Sequence, residues 1–335
     1  MIDFRYHLVS IIAVFLALAV GLVVGSTALS GKAVEALTAA QHRALASNAA
    51  LHKEEQALQQ QVAGDQAFAQ GSSARLLDGL LTGERVVVVA APGADSSVTN
   101  GVISALRQAG ATVTGQVTLT TAFTTTSGQN EAALTQLAQS LAARAGLSLT
   151  GPGGTGMPGQ QAAAQVLAAS LLSGGPLLTS DASQAILTGL TQYGFISVDS
   201  GTPASNPADL AILITPGGPP PQSGAGGTGV LVAVAQQLKA AGSGTVMAGG
   251  VSSIGSGSAI SAENTAGNAV STVDNADTEI GQIMVVQALR LLLNGKASAA
   301  YGIETGVAPS PAPTPATSPL PKTGITAAAT AKASA

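Results

Sequence analysis

The residue types that carry most catalysis and metal binding are distributed unevenly along this chain. Its three histidines, His7, His42 and His52, all lie near the N-terminus, and it contains no cysteine. A Ser-His-Asp triad, a Cys-His pair and an ordinary histidine-based zinc site therefore cannot form within residues 84–306 of one copy. His42 and His52 are ten residues apart, which places them about 80° out of phase on one helix, so one copy cannot chelate an ion with both.

The densest group of carboxylates is Asp274, Asp277 and Glu279, where a predicted strand passes into the last predicted helix. Ligand sites in an open parallel sheet gather at the carboxyl ends of strands, so these acids could bind a hard cation or share acid–base work. The alternative is structural. Asp277 or Thr278 would cap the helix, and the negative charges would suit the positive end of its dipole. The pattern favours the cap, and no catalytic residue or bound cofactor is predicted.

Strands and helices alternate between residues 84 and 306. The run at 85–90 is apolar throughout and predicts a strand buried on both faces, followed by an amphipathic helix at 98–109 and a second strand at 111–119. Such alternation predicts a Rossmann-like, mostly parallel α/β domain with helices on both faces. Further strands are predicted at 209–214, 245–248 and 269–273, and further helices at 131–143, 160–172, 184–193, 230–241 and 280–293.

Residues 8–31 form an uncharged stretch close to the N-terminus. A helix needs about 20 apolar residues to cross the hydrocarbon core of a bilayer, and this stretch meets that need. It is longer than the apolar core of a cleaved signal peptide, although residues 25–28 would pass as a cleavage site. We therefore expect an uncleaved single-pass transmembrane anchor with the α/β domain on the extracytoplasmic side. The lipid bilayer is then a partner, and which envelope membrane is involved stays open.

The next segment has the pattern of a helical stalk. Gly31 and Gly64 bracket residues 33–63, which contain neither Gly nor Pro and predict one helix. Read as heptads, six of its nine core positions are apolar. Two interpretations stay open: an amphipathic stalk that lies on its own domain, or a coiled coil that makes a homo-oligomer. The core positions are Val34, Leu37, Gln41, Ala44, Asn48, Leu51, Glu55, Leu58 and Val62.

Four regions follow from these patterns. They are a transmembrane anchor at 1–31, a helical stalk at 32–83, an α/β domain at 84–306 and a tail at 307–335. The tail is rich in Pro, Ala and Thr, cannot bury a core and is predicted to be disordered.

Charged residues make up 9 % of the chain and the net charge is −4, so there is no basic surface for nucleic acid.

Three segments resemble the MctB-type copper transporter family of actinobacteria. They are residues 3–21, which read DFRYHLVSIIAVFLALAVG, residues 85–89 with the helix after them, and residues 271–283 with Tyr301 and Gly302. The resemblance implies a role in copper homeostasis that limits copper inside the cell. It implies copper as cargo rather than as a cofactor, in a family described as pore-forming outer-membrane proteins. We therefore expect a non-enzymatic envelope protein that is pore-forming as an oligomer.

Two other functions stay open on the residues alone. One is a cell-envelope ligand-binding or enzymatic α/β domain that would use Asp274, Asp277 and Glu279. The other is a structural scaffold whose coiled coil organises partner export proteins.

Overall fold

The computed structural model describes residues 4–126, 128–149, 159–176, 178–218 and 227–311. The predicted tail lies outside these residues from 312 onwards. The chain forms two compact units, Met1–Asp65 and Gln66–Ala335.

The described residues of the first unit are helical. Helix α1 spans Phe4–Leu77 and so contains the uncharged stretch 8–31 and the helix predicted at 33–63, and it ends within the region 32–83 that was predicted as the stalk. It continues through Gly64 and Gly71, beyond the stretch that the glycines were expected to bracket. A glycine costs about 1 kcal/mol in a helix interior, which weakens a helix without ending it.

The second unit is built on a seven-stranded sheet in the order β3-β2-β1-β4-β5-β6-β7. All described neighbours pair in parallel except β2 and β3, which are antiparallel. This confirms the predicted mostly parallel α/β fold. The strands are β1 Arg85–Ala90, β2 Thr112–Leu119, β3 Ile196–Gly201, β4 Leu210–Ile214, β5 Gly244–Ala248, β6 Ser271–Val273 and β7 Ala300–Tyr301. The helices are α2 Ser96–Gln108, α3 Thr121–Thr124, α4 Gly128–Ala145, α5 Gly159–Leu171, α6 Ser180–Gln192, α7 Gly227–Ala241, α8 Ala259–Thr265 and α9 Glu279–Leu293, with a 3₁₀ turn at Val251–Ser253.

Each face of the sheet carries its own hydrophobic core. In β1, Val87 and Val89 pack into the core formed with α4, α5, α6 and α7, whereas Val86 and Val88 pack into the core formed with α2 and α9. All four valines are fully buried. The apolar run of β1 is therefore explained by its central position, where neither face meets solvent.

The last turns of α1 are partly buried, and Leu77 belongs to the core formed with α2 and α9. Ala69, Ser73 and Leu77 are buried at four-residue spacing, and Ser73 accepts a hydrogen bond from Gln108 of α2. Leu81, just after the helix, is also buried, and its N–H donates to the carbonyl of Ala109. This burial favours continuation of the helix through Gly71, which lies between Ala69 and Ser73.

Strand β3 was not expected from the sequence. It reads ISVDSG, and every residue after Ile196 is exposed. Among the described strands it pairs with β2 alone, in antiparallel register with an irregularity between Gln116 and Val117 of β2. A strand at an exposed edge has no buried face to fill, so it needs no apolar run. The irregular pairing and the charge of Asp199 also disfavour pairing of this edge with a strand of another chain.

An ion pair joins the starts of β1 and β4. Arg85 donates from Nη2 to Oδ1 of Asp209 at 2.8 Å and from Nε to Oδ2 at 3.0 Å, and Ser173 Oγ donates to Oδ1 at 2.6 Å. Partial burial opposes ionisation of Asp209, but the hydrogen bonds from Arg85 and Ser173 and the charge of Arg85 outweigh it and lower the pKa of this carboxyl.

We expect Asp209→Asn to lower the free energy of unfolding at pH 7 by about 1–2 kcal/mol, because a charge-assisted bidentate pair is lost. A lowered pKa contributes stability above the unfolded value of 3.8, and that stability is lost as the pH falls through the folded value. The difference from wild type should therefore shrink in acid, as measured by thermal unfolding from pH 7 to pH 2. Asp181→Asn, at an exposed position in α6, is the control, and an equal loss there would contradict the account.

Candidate functional site

The acidic candidates lie at the edge of the sheet where parallel strands end. Asp274 follows β6 directly, and the segments that begin at Gly249 and Gly302 follow β5 and β7. Since β5, β6 and β7 are parallel neighbours, these three segments lie along one edge. Asp274 therefore lies at the carboxyl end of a strand, and Glu279 begins α9.

Asp274 is fully buried and holds the backbone that follows β7. Its Oδ1 accepts from the N–H of Ile303 and its Oδ2 from the N–H of Glu304, both at 2.8 Å. Gly302 has φ +136°, and a Cβ built on it would lie 1.8 Å from Oδ1 of Asp274. Only glycine fits this approach, so Asp274 and Gly302 form one structural clasp.

Several features of its surroundings shift the pKa of the Asp274 carboxyl. Burial raises the pKa of the carboxyl, the hydrogen bonds from Ile303 and Glu304 lower it in part, and the nearby charge of Glu304 raises it again. The net pKa is above the ordinary value of 3.8. Catalytic acids often have a raised pKa. A buried carboxylate that accepts two backbone hydrogen bonds also has a structural role, because it satisfies those two N–H groups.

Glu304 extends the clasp into a polar network that the sequence did not reveal. Its Oε1 accepts from Ser261 Oγ at 2.5 Å, and its Oε2 accepts from the side-chain amide of Asn264 at 2.8 Å. Asn264 Oδ1 in turn accepts from Thr272 Oγ1 of β6 at 2.6 Å. The network ties α8, β6 and the segment after β7 together.

Asp277 and Glu279 have other surroundings. Asp277 is exposed, and its Oδ1 accepts from the N–H of Val251 at 3.2 Å. Thr278 is the N-cap of α9, because its Oγ1 accepts from the N–H of Gly281 at 3.1 Å. Glu279 is half-buried in the first turn of α9, where its charge suits the helix dipole. Of the two predicted caps, Thr278 is the one that bonds to the helix N-terminus.

The three predicted acids thus have different surroundings, since Asp274 and Asp277 accept hydrogen bonds from different loops and Glu279 lies in the first turn of α9. Within the described ranges, no group of three or more His, Cys, Asp or Glu side chains could hold a metal ion. Asp274 and Asp277 accept hydrogen bonds from loop backbone, and Thr278 caps α9. These contacts stabilise the loops and the helix terminus at this edge of the sheet.

The sheet reverses its strand order between β1 and β4, which is where open α/β sheets bind ligands. Small residues fill the described part of this edge. A Cβ on Gly217 would lie 2.4 Å from Ser252 Oγ, and a Cβ on Gly249 would lie 2.5 Å from Ser253 Oγ and 2.8 Å from Thr215 Oγ1. Residues 219–226, which follow β4, lie outside the described residues.

An open groove of about 610 Å³ lies on the second unit between α4 and α6. Leu137 and Leu141 contribute apolar groups to its lining, while Arg144, Asp181 and Tyr193 contribute polar groups. Tyr193 is 65 % exposed. A pocket of this size matches small-molecule and peptide sites, but the sequence offered no signal for it because the two helices meet only in the fold.

On the first unit, the features that bear on function are exposed apolar side chains. In the part of the chain that the structure describes, one helix is long and apolar enough to cross a membrane, with mean hydropathy 2.9 over Tyr6–Gly25 and no burial. Beyond it, the apolar heptad positions of the stalk are also solvent-exposed. The exposed fractions are 60 % for Val34, 70 % for Leu37, 60 % for Leu51, 56 % for Leu58 and 52 % for Val62.

The chain is similar to known proteins over most of its length. The family model described as "Copper transport outer membrane protein, MctB" matches residues 1–311. "Copper transporter MctB" of Mycobacterium leprae is 33 % identical over 317 residues, which cover 91 % of this chain and 98 % of the relative. The proteins of the same name from Mycobacterium tuberculosis and Mycobacterium bovis are each 30 % identical over 315 residues, with the same coverage.

Proposed function

Because the chain belongs to the MctB family of copper transport outer membrane proteins, we propose that it is a membrane-anchored envelope protein that limits copper inside the cell. The match covers 98 % of the length of the relatives that carry the name copper transporter. Copper is then the cargo. The proposal has three parts: an anchor, an oligomer and a body without enzymatic activity.

The anchor is the exposed helix at Tyr6–Gly25. Its 20 residues span about 30 Å at 1.5 Å per residue, which matches the hydrocarbon core of a bilayer. Leaving this surface in water would expose a large contiguous apolar patch, which soluble monomers rarely do. The short N-terminal segment stays inside, and the stalk and body lie on the extracytoplasmic side. This exposed apolar helix is the observation that carries the proposal.

The oligomer forms through the stalk. Its exposed apolar side chains repeat at heptad spacing, and a second copy of the same helix would bury them. Anchors in one membrane orient all copies alike and raise their effective concentration, which favours a parallel coiled coil. Most positions that flank this core are uncharged, among them 38, 45, 47, 59 and 61, and the exceptions are His52 and Glu54.

The assembled stalks and spans would form or gate a path for copper, or hold other export components in place. The α/β body contains the polar clasp of Asp274 as a structural element and takes no part in a reaction.

A second candidate function is the binding of a ligand or of a peptide segment from a partner export protein. The groove between α4 and α6 favours it, because its size and its polar groups suit such a ligand.

Deletion of the gene tests the copper role. We expect a deletion strain to accumulate copper and to lose copper tolerance, and we expect the full chain to restore both. A chain that lacks residues 1–31 should restore neither, because its body is no longer held at the membrane. Cell copper is measured by mass spectrometry of whole cells grown with and without added copper. Unchanged copper content and tolerance after deletion would contradict the proposal.

A further inference from the structure

His52 and Glu55 are two side chains of metal-ligand type that lie side by side on the proposed stalk.

 The imidazole Nδ1 of His52 lies 3.5 Å from Oε2 of Glu55, three residues further along α1. Both side chains are about two-thirds exposed, with 65 % for His52 and 63 % for Glu55. Gln59 Nε2 donates to Oε1 of Glu55 at 3.3 Å, which helps to hold the carboxylate in place.

Glu55 occupies a core position of the heptad pattern, between Leu51 and Leu58. In a parallel, in-register pair of stalks, residues at core positions face their own counterparts, so Glu55 of one copy would face Glu55 of the second. Two carboxylates brought together in an apolar seam cannot both stay ionised at low cost unless a positive charge lies between them. His52 flanks the core at the adjoining heptad position, so each copy brings an imidazole next to that layer.

We propose that His52 and Glu55 of two copies together build a binding site for a divalent transition-metal ion, with Cu²⁺ as its preferred ion. The site rests on the proposed stalk oligomer, because one copy supplies only two ligands. Two imidazole nitrogens and two carboxylate oxygens form a donor set that suits Cu²⁺ and Zn²⁺, and a given site of this kind generally binds Cu²⁺ more tightly. The ion supplies the positive charge that the Glu55 layer needs, so metal binding and stalk pairing stabilise each other.

The test uses the full chain in detergent, stripped of metal with a chelator and titrated with Cu²⁺ alone. We expect one Cu²⁺ per two chains, with nitrogen hyperfine structure in the electron paramagnetic resonance spectrum. His52→Ala and Glu55→Leu should each weaken Cu²⁺ binding at least tenfold. His42→Ala is the matched control, because His42 lies on the same exposed helix outside the core and flanking positions of the heptad, and it should bind Cu²⁺ as the wild type does.

Glu55→Leu separates loss of the site from loss of the oligomer. It removes a carboxylate from the seam and adds an apolar core residue, so the variant should stay oligomeric by light scattering while it loses Cu²⁺. Wild-type chain that is oligomeric and binds no Cu²⁺, or binds it equally well after His52→Ala, would overturn the site and leave the proposed oligomer intact. Wild-type chain that is monomeric would overturn both.

Discussion

Replacing Asp274 with Ala should destabilise the second unit by about 2–3 kcal/mol, because two buried backbone N–H groups lose their acceptor. The N–H groups of Ile303 and Glu304 both donate to this carboxylate at 2.8 Å, and Asp274 is fully buried. Removal of the desolvated charge offsets a part of the loss, so the expected value lies below the sum for two orphaned donors. Thermal unfolding of the full chain in detergent, followed by circular dichroism, measures the effect.

Asp277→Ala is the matched control for this prediction. Asp277 is exposed and accepts one backbone hydrogen bond at 3.2 Å, so its loss should cost about 0.5 kcal/mol or less. If Asp277→Ala cost as much as Asp274→Ala, the clasp would not be what holds the segment after β7. If Asp274→Ala abolished copper tolerance with the unfolding temperature unchanged, Asp274 would belong to a functional site and the structural interpretation would be wrong.

The pH dependence of stability gives a separate readout for Asp274. Its folded pKa is raised above the unfolded value of 3.8, so its contribution to stability is fully present below 3.8 and is lost as the pH rises through the folded pKa. Asp274→Asn has nearly the same shape and does not titrate. The stability of wild type relative to this variant should therefore increase as the pH falls toward 3.8, and a constant difference would contradict the raised pKa.

Replacing Leu51 with Lys should dissociate the proposed stalk oligomer. Leu51 is a core position of the heptad and is 60 % exposed in the single chain, so a second copy is what would bury it. Each copy would lose about 2 kcal/mol of apolar burial and would bring a charge into the seam, which weakens association about a hundredfold or more. Light scattering of the full chain in detergent would then report a monomer. The deletion strain complemented with this variant should remain copper-sensitive.

Ala46→Lys is the control for Leu51→Lys. Ala46 lies on the side of the same helix that faces away from the heptad core, and it is exposed. The same charge placed there should leave the oligomer and copper tolerance unchanged. Equal effects of both substitutions would show that the heptad face has no special role, and a monomeric wild-type chain would rule out the stalk as an oligomerisation element.

Local sequence patterns predicted the elements that are determined by neighbouring residues, namely the buried strands and the helix cap. The apolar runs of β1, β4 and β5 are strands because their central positions bury both faces. Thr278 was one of two predicted caps for α9 because a side-chain oxygen at that position satisfies free N–H groups. Strands without an apolar run were missed, namely β3 at an exposed edge and the two-residue β7.

Long-range contacts could not be predicted in the same way. The sequence indicated Asp274 as a candidate, but its partners lie 29 and 30 residues further on, and they meet it only because β7 pairs with β6. Glu304 gave no signal for the same reason, since its partners Ser261 and Asn264 are about 40 residues away. The strand order that creates these contacts is not readable from one sequence.

Cysteine cross-linking in isolated membranes tests the central claim, an anchored chain that pairs through its stalk, most directly. The natural chain contains no cysteine, so a single Leu51→Cys introduces the only thiol. Counterpart residues at a parallel core position are close enough for a disulfide, whereas Ala46→Cys places the thiol on the outer face. We expect a mild oxidant to convert the Leu51→Cys chain of the membrane fraction into a covalent dimer and to leave the Ala46→Cys chain largely monomeric. Equal cross-linking of the two variants, or recovery of the intact chain in the aqueous fraction, would contradict the account.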